Sequence, residues 1–540
     1  MRAPSSRTLV TAAVVVALFA VAVAPFFWST TFFTDDHLLL AFARYTPNPL
    51  AAFRHDLHGG EFYRPLSMSL WWLLARLGGG AMAPFAAAEA ALHLLVAIQV
   101  AWLLRALGSE RATAWSAAGF FWLSPQTREA ALWAAAFPDL LGTALLLGSL
   151  LTLLRGQRAA TIALGACAYL SKESMIVLPA VAGLVLASRP RAVGSSATEA
   201  PTPSGPLAPP GGERAGVRDP HSSRLAILLA ALRPRVWDLA ALATLAALYL
   251  LARWRVLGGW GGTGDQRAPL AGKLLQVLSG LVHVVAGADV FPEALAWGAG
   301  VAVLAVALLN VWRARPRAGG PGAGALLAPV AFTAIAVLPL FAAGWIIGAR
   351  YFYLPAVGLA WLVGQALGQA GPAWRIGGFL FMFALGGIQT LARHADVAAY
   401  DQRVAAARRA VIDGVAHGHR VFHIAGGIKD LDLAVKESPA LRAAEDRLLI
   451  LGDVPASFVS IPADLEAPAA FLIASPPLPP SGAYHFGRHR VVGLARRGDD
   501  PTLDEVIAHF PDVRFIRLRA AGGGRVVARD VTEEMRGGAD

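Results

Sequence analysis

Long apolar blocks recur along this chain and leave it few ways to fold in water. The first, Thr8 to Trp28, carries no ionisable side chain and is preceded by Arg2 and Arg7. As a helix, a block of this length matches the ~30 Å hydrocarbon core of a bilayer, which takes about 20 residues to cross. A cleaved signal peptide is the rival reading, because Ala22-Val23-Ala24 resembles a small-residue cleavage site. Pro25, directly after it, disfavours cleavage, so we read a retained first helix. Further apolar blocks follow near 84–107, 112–125, 138–154, 159–171, 173–188, 236–253, 291–312, 325–345, 351–368 and 375–392. The stretch 270–288 is apolar but carries Lys273 and His283, and is read as interfacial or re-entrant. Composition agrees with a lipid solvent. The chain is 56% hydrophobic and 15% charged, with a mean hydropathy of +0.52, against about 25% charged for an average soluble domain. Disorder, a coiled coil and an ordinary soluble enzyme are excluded.

The formal net charge of +11 would by itself suggest a nucleic-acid partner. Its location argues otherwise. Residues 1–392 carry 28 basic and 16 acidic side chains, whereas residues 393–540 carry 19 and 20. The basic excess belongs to the apolar part, and no nucleic-acid partner is expected. Short loops rich in arginine mark the cytoplasmic side of a membrane protein. Arg2 and Arg7, Arg105 and Arg111, Arg155 and Arg158, the loop 189–235, and Arg313, Arg315 and Arg317 fall on one side of an eleven-span alternation. The expectation is a multi-pass inner-membrane protein with a cytoplasmic N-terminus. Residues 29–83 form a first periplasmic loop, and residues 393–540 a periplasmic domain.

Residues 191–222 are rich in Pro, Gly, Ser and Ala and read as a linker within the 189–235 loop. The tail alternates β-type runs (421–424, 448–451, 471–473, 491–492, 513–516) with helical ones (405–415, 503–509), which predicts a small α/β or α+β domain. It holds no nucleophile elbow, phosphate loop or metal-ligand spacing. The single cysteine, Cys167, precludes an intrachain disulfide.

Ionisable side chains near lipid are costly and tend to line cavities or sit at the surface. Asp35-Asp36-His37 follows the first helix, and two adjacent carboxylates repel, which raises one pKa and suits a general base. A solvated loop that stops the helix is the alternative. His55, Asp56, His58 and Glu61 could form a metal site, but their spacing is not a zinc pattern. Arg64 opens an amphipathic stretch, Ser67 to Leu77, and is either a bidentate phosphate ligand or a headgroup anchor. Glu129 and Asp139 sit in polar turns between spans. Lys172 and Glu173 either neutralise each other at a helix break or leave Lys172 for a lipid phosphate. Arg350, with Tyr351 and Tyr353, opens a span as an aromatic-belt anchor or a phosphate ligand.

The order of these elements resembles the GT-C membrane glycosyltransferases, most closely the O-mannosyltransferase-like branch that carries tetratricopeptide repeats. Asp35-Asp36, Tyr63-Arg64-Pro65-Leu66, Leu92-His93-Leu94-Leu95, Glu129-Ala130, Asp139-Leu140-Leu141, Lys172-Glu173, Tyr249 to Gly259 and Arg350 to Pro355 carry the resemblance. It covers most of residues 1–392. It implies an all-α, GT-C-like transmembrane domain and transfer of a sugar from a polyprenyl-phosphate donor to an extracytoplasmic acceptor, with inversion. Asp35 or Asp36 would be the catalytic base. Arg64, Lys172, Arg350, Tyr63 and Tyr353 would hold the donor phosphate, and His58, His93, Glu129, Asp139 and Glu173 would line the site. The scheme requires no metal or cofactor. The sequence departs from the family at Ser124 and Thr127 (usually His), Phe137 (usually Arg) and Ala349 (usually acidic), and it lacks the repeats. Two other classes remain: a transporter or flippase, which should show inverted repeats that are not seen, and a non-catalytic membrane scaffold.

Overall fold

The computed structural model describes residues 31–46, 48–54, 62–189, 235–257, 269–287, 293–313, 324–342, 349–425, 431–441, 444, 448–452, 458–462, 484–486, 489–493, 512–521 and 525–537. The expected first helix at 8–28, the linker 191–222, the β run 471–473 and the helical run 503–509 lie outside these residues, as do His55, Asp56, His58 and Glu61.

The described chain is mostly helical. After α1 (Asp36–Tyr45) and α2 (Pro65–Leu77) come α3 (Ala83–Ala106), α4 (Arg111–Leu123), the short α5 (Pro125–Ala131), α6 (Phe137–Arg155), α7 (Arg158–Ser171) and α8 (Leu178–Ser188). They are followed by α9 (Val236–Leu257), α10 (Leu270–Ala286), α11 (Glu293–Arg313), α12 (Gly324–Ala342), α13 (Pro355–Gln369) and the 45-residue α14 (Pro372–Ala416). Starts are set by proline in the first turn of α2, α3, α5, α6, α13 and α14, where its missing N–H costs nothing. The end of α6 is set by Gly156, whose φ of +80° continues no helix.

The eleven spans expected, several of them short, are not what the described residues show. Four helices are long and apolar enough to cross a membrane: Ala83–Ala106, Ala134–Arg155, Val236–Leu257 and Pro372–Ala416. The segments Glu173–Ser188, Leu270–Ala286, Ala294–Leu309 and Leu327–Phe341 are apolar but shorter. The difference has a local cause. Apolar blocks in the sequence are interrupted by polar breaks such as Lys172, where the backbone turns extended (φ −157°, ψ 137°), and the pieces pack on one another instead of running on. Helix α10 is one such piece. Lys273 near its start donates to the Phe341 carbonyl, and Val284 near its end accepts from Ser124, so both its ends meet the same end of the bundle.

In lipid there is no hydrophobic drive between helices, so close approach comes from small residues. Gly364 and Gly368 of α13 lie directly on Ala117 and Thr113 of α4, where an added Cβ would collide with backbone. The core runs through α3, α4, α6, α8 and α13. Large apolar side chains such as Leu251, Trp254, Trp374 and Leu391 point outward, as on a face that meets lipid.

The tail is not separated from the bundle at 392. Helix α14 runs unbroken across that point and forms one wall of the tail's core, with Tyr400, Val404, Ala407 and Val411. Against it lies a four-stranded sheet of order β2-β1-β6-β7, made of β1 (Val421–Ala425), β2 (Leu449–Gly452), β6 (Arg514–Ala521) and β7 (Arg525–Asp530). β1 is parallel to β2 and β6, and β7 is antiparallel to β6. α15 (Leu431–Lys436) joins β1 to β2, and α16 (Thr532–Gly537) follows β7. A second sheet of order β3-β5-β4 contains β3 (Phe458–Pro462), β4 (Tyr484–Phe486) and β5 (His489–Gly493). Four of the five expected β runs fall on strands, and β3, β4 and β7 are additional.

Candidate functional site

One end of the bundle collects the charged side chains. The N-termini of α2, α6 and α13 and the C-termini of α7 and α9 meet there, so residues far apart in sequence become neighbours. Arg64, the residue before α2, forms a bidentate pair with Glu173, Nε–Oε2 2.7 Å and Nη2–Oε1 2.5 Å. Asp139 in the first turn of α6 pairs with Lys172 at the break after α7, and both are buried. Arg350, in the turn Ala349–Phe352 before α13, pairs with Asp35 at 3.3 Å. Lys172 and Glu173 therefore do not neutralise each other; each finds a different partner across the bundle.

These pairs form one electrostatic cluster. Arg64 and Arg350 both feel Asp139 and Tyr351, and Glu173 feels Lys172 and Arg253 as well as Arg64. Of these side chains, four are cations (Arg64, Lys172, Arg253, Arg350) and three are carboxylates (Asp35, Asp139, Glu173). Aromatic rings form the floor. The Tyr351 ring lies 4.8 Å from the Lys172 ammonium and 5.3 Å from the Arg350 guanidinium, and the Trp133 ring lies 4.2 Å from Arg350. Burial alone would lower the Arg350 guanidinium, but Tyr351 and Asp35 outweigh it and hold it above its ordinary value. Arg64 is likewise held up, by Glu173 against burial.

The two expected bases divide. Asp36 is buried, and its oxygens accept from the Phe33 and Ala135 amides at 2.9 and 2.6 Å. It ties the first loop to the turn before α6. Burial raises its carboxyl from 3.8 to about 7 despite those two amides. Asp35 is partly exposed at 22% and faces Arg350. The split follows from their partners: Asp36, the first residue of α1, is held by two amides, while Asp35 meets the Arg350 guanidinium. Thr34, just before the pair, has a φ of +43°, a left-handed conformation that a β-branched residue adopts only under strain.

The remaining candidates are placed as follows. Tyr353 is buried, and its hydroxyl meets His93 Nδ1 at 2.8 Å, while His93 Nε2 lies 3.2 Å from the Trp122 carbonyl. A neutral ring donating from Nε2 and accepting at Nδ1 satisfies both contacts. This pair fixes α3 against α13 and lies beneath the cluster. Tyr63 donates to the Phe53 carbonyl at 3.3 Å and stacks on Tyr249, whose hydroxyl donates to the Tyr63 carbonyl at 2.8 Å. Tyr63 thus positions Arg64, its neighbour, through its backbone. Glu129 is half-buried on α5. Ser124 and Thr127, at the positions usually histidine, bond to the Val284, Phe121 and Ser124 carbonyls, and Phe137 is packed in the core.

Several neighbours were not singled out from the sequence. Trp133 is a ring under the Arg350 and Arg393 guanidiniums, and Tyr351, expected only as an aromatic-belt residue, lies under Lys172 and Arg350. Glu89 of α3 is buried, feels Asp36, and has no hydrogen-bond partner among the described residues. The tail reaches the site from the far end of the chain. Phe33 packs on Tyr400 at 5.0 Å, the His37 ring stacks on Tyr400 at 5.8 Å, and His37 Nδ1 meets Glu437 at 2.9 Å. Arg393 lies over the rings of Phe33 and Trp133, at 4.2 and 4.8 Å. Comparison with protein-family models, with curated proteins and with solved structures finds no match.

Proposed function

We propose that this chain is a membrane glycosyltransferase that moves a sugar from a polyprenyl-phosphate carrier to an extracytoplasmic acceptor, with inversion at the sugar. The observation that carries this reading is the gathering of Arg64, Lys172 and Arg350 about Asp139, with Arg350 also paired to the partly open Asp35. A phosphate is the ligand such a cluster suits. It takes bidentate hydrogen bonds from guanidinium groups and charge from an ammonium, in surroundings where screening by water is weak. The resemblance of residues 1–392 to the GT-C enzymes points the same way. On this reading the site and the tail lie on the extracytoplasmic side.

The chemistry turns on the pairing of Arg350 with Asp35 at 3.3 Å. A donor phosphate that draws Arg350 to itself leaves Asp35 free to accept a proton from the acceptor hydroxyl. The acceptor oxygen forms a bond to the anomeric carbon from the face opposite the phosphate. The carbon–oxygen bond to phosphate breaks, and its electron pair stays on the phosphate oxygen, where the cations stabilise it. Positioning, one base and this charge stabilisation suffice, because a phosphate is already a good leaving group.

Binding of polyprenyl phosphate to the full chain in nanodiscs tests the reading. Charge-assisted hydrogen bonds of about 1.5–3 kcal/mol predict that Lys172→Gln and Arg350→Gln each weaken binding roughly tenfold or more. Unchanged affinity in both variants overturns the assignment of the cluster to a phosphate.

A further inference from the structure

The tail holds a second concentration of positive charge, away from the site. In the β6–β7 hairpin, Ile516, Leu518 and Ala528 face α14 and join its core. Alternation along the strands puts Arg517, Arg519, Arg525, Val527 and Arg529 on the opposite face. Arg517 and Arg529 are directly paired across the ladder, and like charges in that position repel. Helix α16 covers the root of this face. Phe515 is buried beneath it, its amide bonds to Thr532, Arg517 reaches the Met535 sulfur, and Glu534 pairs with Arg529. Toward the tip, Arg519, Arg525 and Val527 are exposed.

The hairpin's direction brings that tip toward the membrane. β6 begins beside the last turns of α14, where Arg514 pairs with Asp413 at 3.4 Å, and packs back along the helix through Leu518. The outward apolar side chains of α14 end at Leu391, and Arg393, His394 and Asp396 follow, which sets the level where lipid gives way to water. From Arg393 to Asp413 the helix rises about 30 Å. From Arg514 to Ala521 the strand descends about 23 Å. The strand thus runs back over part of the helix length above Arg393, which carries the tip toward the level where the headgroup layer and long arginine side chains meet.

We infer that the arginine face of the β6–β7 hairpin docks on anionic lipid headgroups beside the bundle. The charge complements such a surface, and the exposed Val527 lies between the arginines, as at an interfacial contact. This inference is independent of the reading of the Asp35 site.

The test uses the full chain in nanodiscs of phosphatidylcholine, with and without phosphatidylglycerol. A fluorophore on Val527→Cys, in a Cys167→Ser background, reports access to the neutral quencher acrylamide. At low salt, phosphatidylglycerol should protect the probe, with each arginine worth on the order of fivefold in the docked-to-free ratio. High salt, or Arg519→Gln with Arg525→Gln, should restore quenching. Amide hydrogen exchange over 514–530 in the unlabelled chain should show the same lipid dependence. Equal quenching and equal exchange in the two lipids overturn the inference. So does protection by a soluble anionic polysaccharide without any by phosphatidylglycerol, which assigns the face to a polymer.

Discussion

Asp35 and Asp36 are neighbours in the chain with opposite surroundings, one facing a guanidinium and the other held by two backbone amides. The sequence marks the pair as unusual but cannot separate its members, because the separation is made by partners far along the chain, the Ala135 amide for Asp36 and the Arg350 guanidinium for Asp35. The buried member has a measurable consequence. Its carboxyl rises from 3.8 to about 7 on folding, so the native state prefers the neutral form. That preference stabilises the protein at low pH and is lost as pH rises from about 4 toward 7, with an upper bound of about 4 kcal/mol. Thermal unfolding should therefore show a destabilising slope over that range, and Asp36→Asn should flatten it. An unchanged slope would mean that another group titrates there. Residues whose role is a pairing, such as Arg64 with Glu173, were visible as charges in apolar surroundings. Which charge meets which was not, since their partners lie on other helices.

Among the elements, α3, α6 and α9 are where the apolar blocks predict them, because a block of about 20 mostly apolar residues has few alternatives in lipid. The shorter blocks are where full-length spans fail to appear. A break such as Lys172 leaves hydropathy high on both sides and changes only the path of the backbone. Close packing of α4 on α13 is carried by Gly364 and Gly368, and periodicity alone does not reveal a contact that depends on a missing Cβ. Gly364→Leu should force these helices apart at a cost of about 1–3 kcal/mol. The change should lower the unfolding temperature in detergent, whereas Gly387→Leu, inside α14 at a position with open space, should be near neutral. Equal effects would indicate that α4 and α13 are not in direct contact.

Over the whole molecule, α14 is the element that joins bundle, site and tail. Composition places a change of character near residue 392, but a helix has no reason to stop where hydropathy does, and α14 continues to Ala416. It delivers Tyr400 to Phe33 and His37, so the loop bearing Asp35 is bounded partly by the tail. Loss of this contact in Tyr400→Ala should raise amide exchange over residues 31–39 by roughly tenfold or more, since a large aromatic is removed from a packed site. Exchange equal to the unaltered chain would show that the tail does not hold the loop. In the proposed reaction Asp35 is the base beside the cationic cluster. The decisive assay is sugar transfer from a polyprenyl-phosphate donor by the reconstituted full chain, measured alongside donor binding. Asp35→Asn should lower turnover by about 10²–10⁴-fold while donor binding persists. Turnover by Asp35→Asn equal to that of the unaltered chain rules out Asp35 as the base.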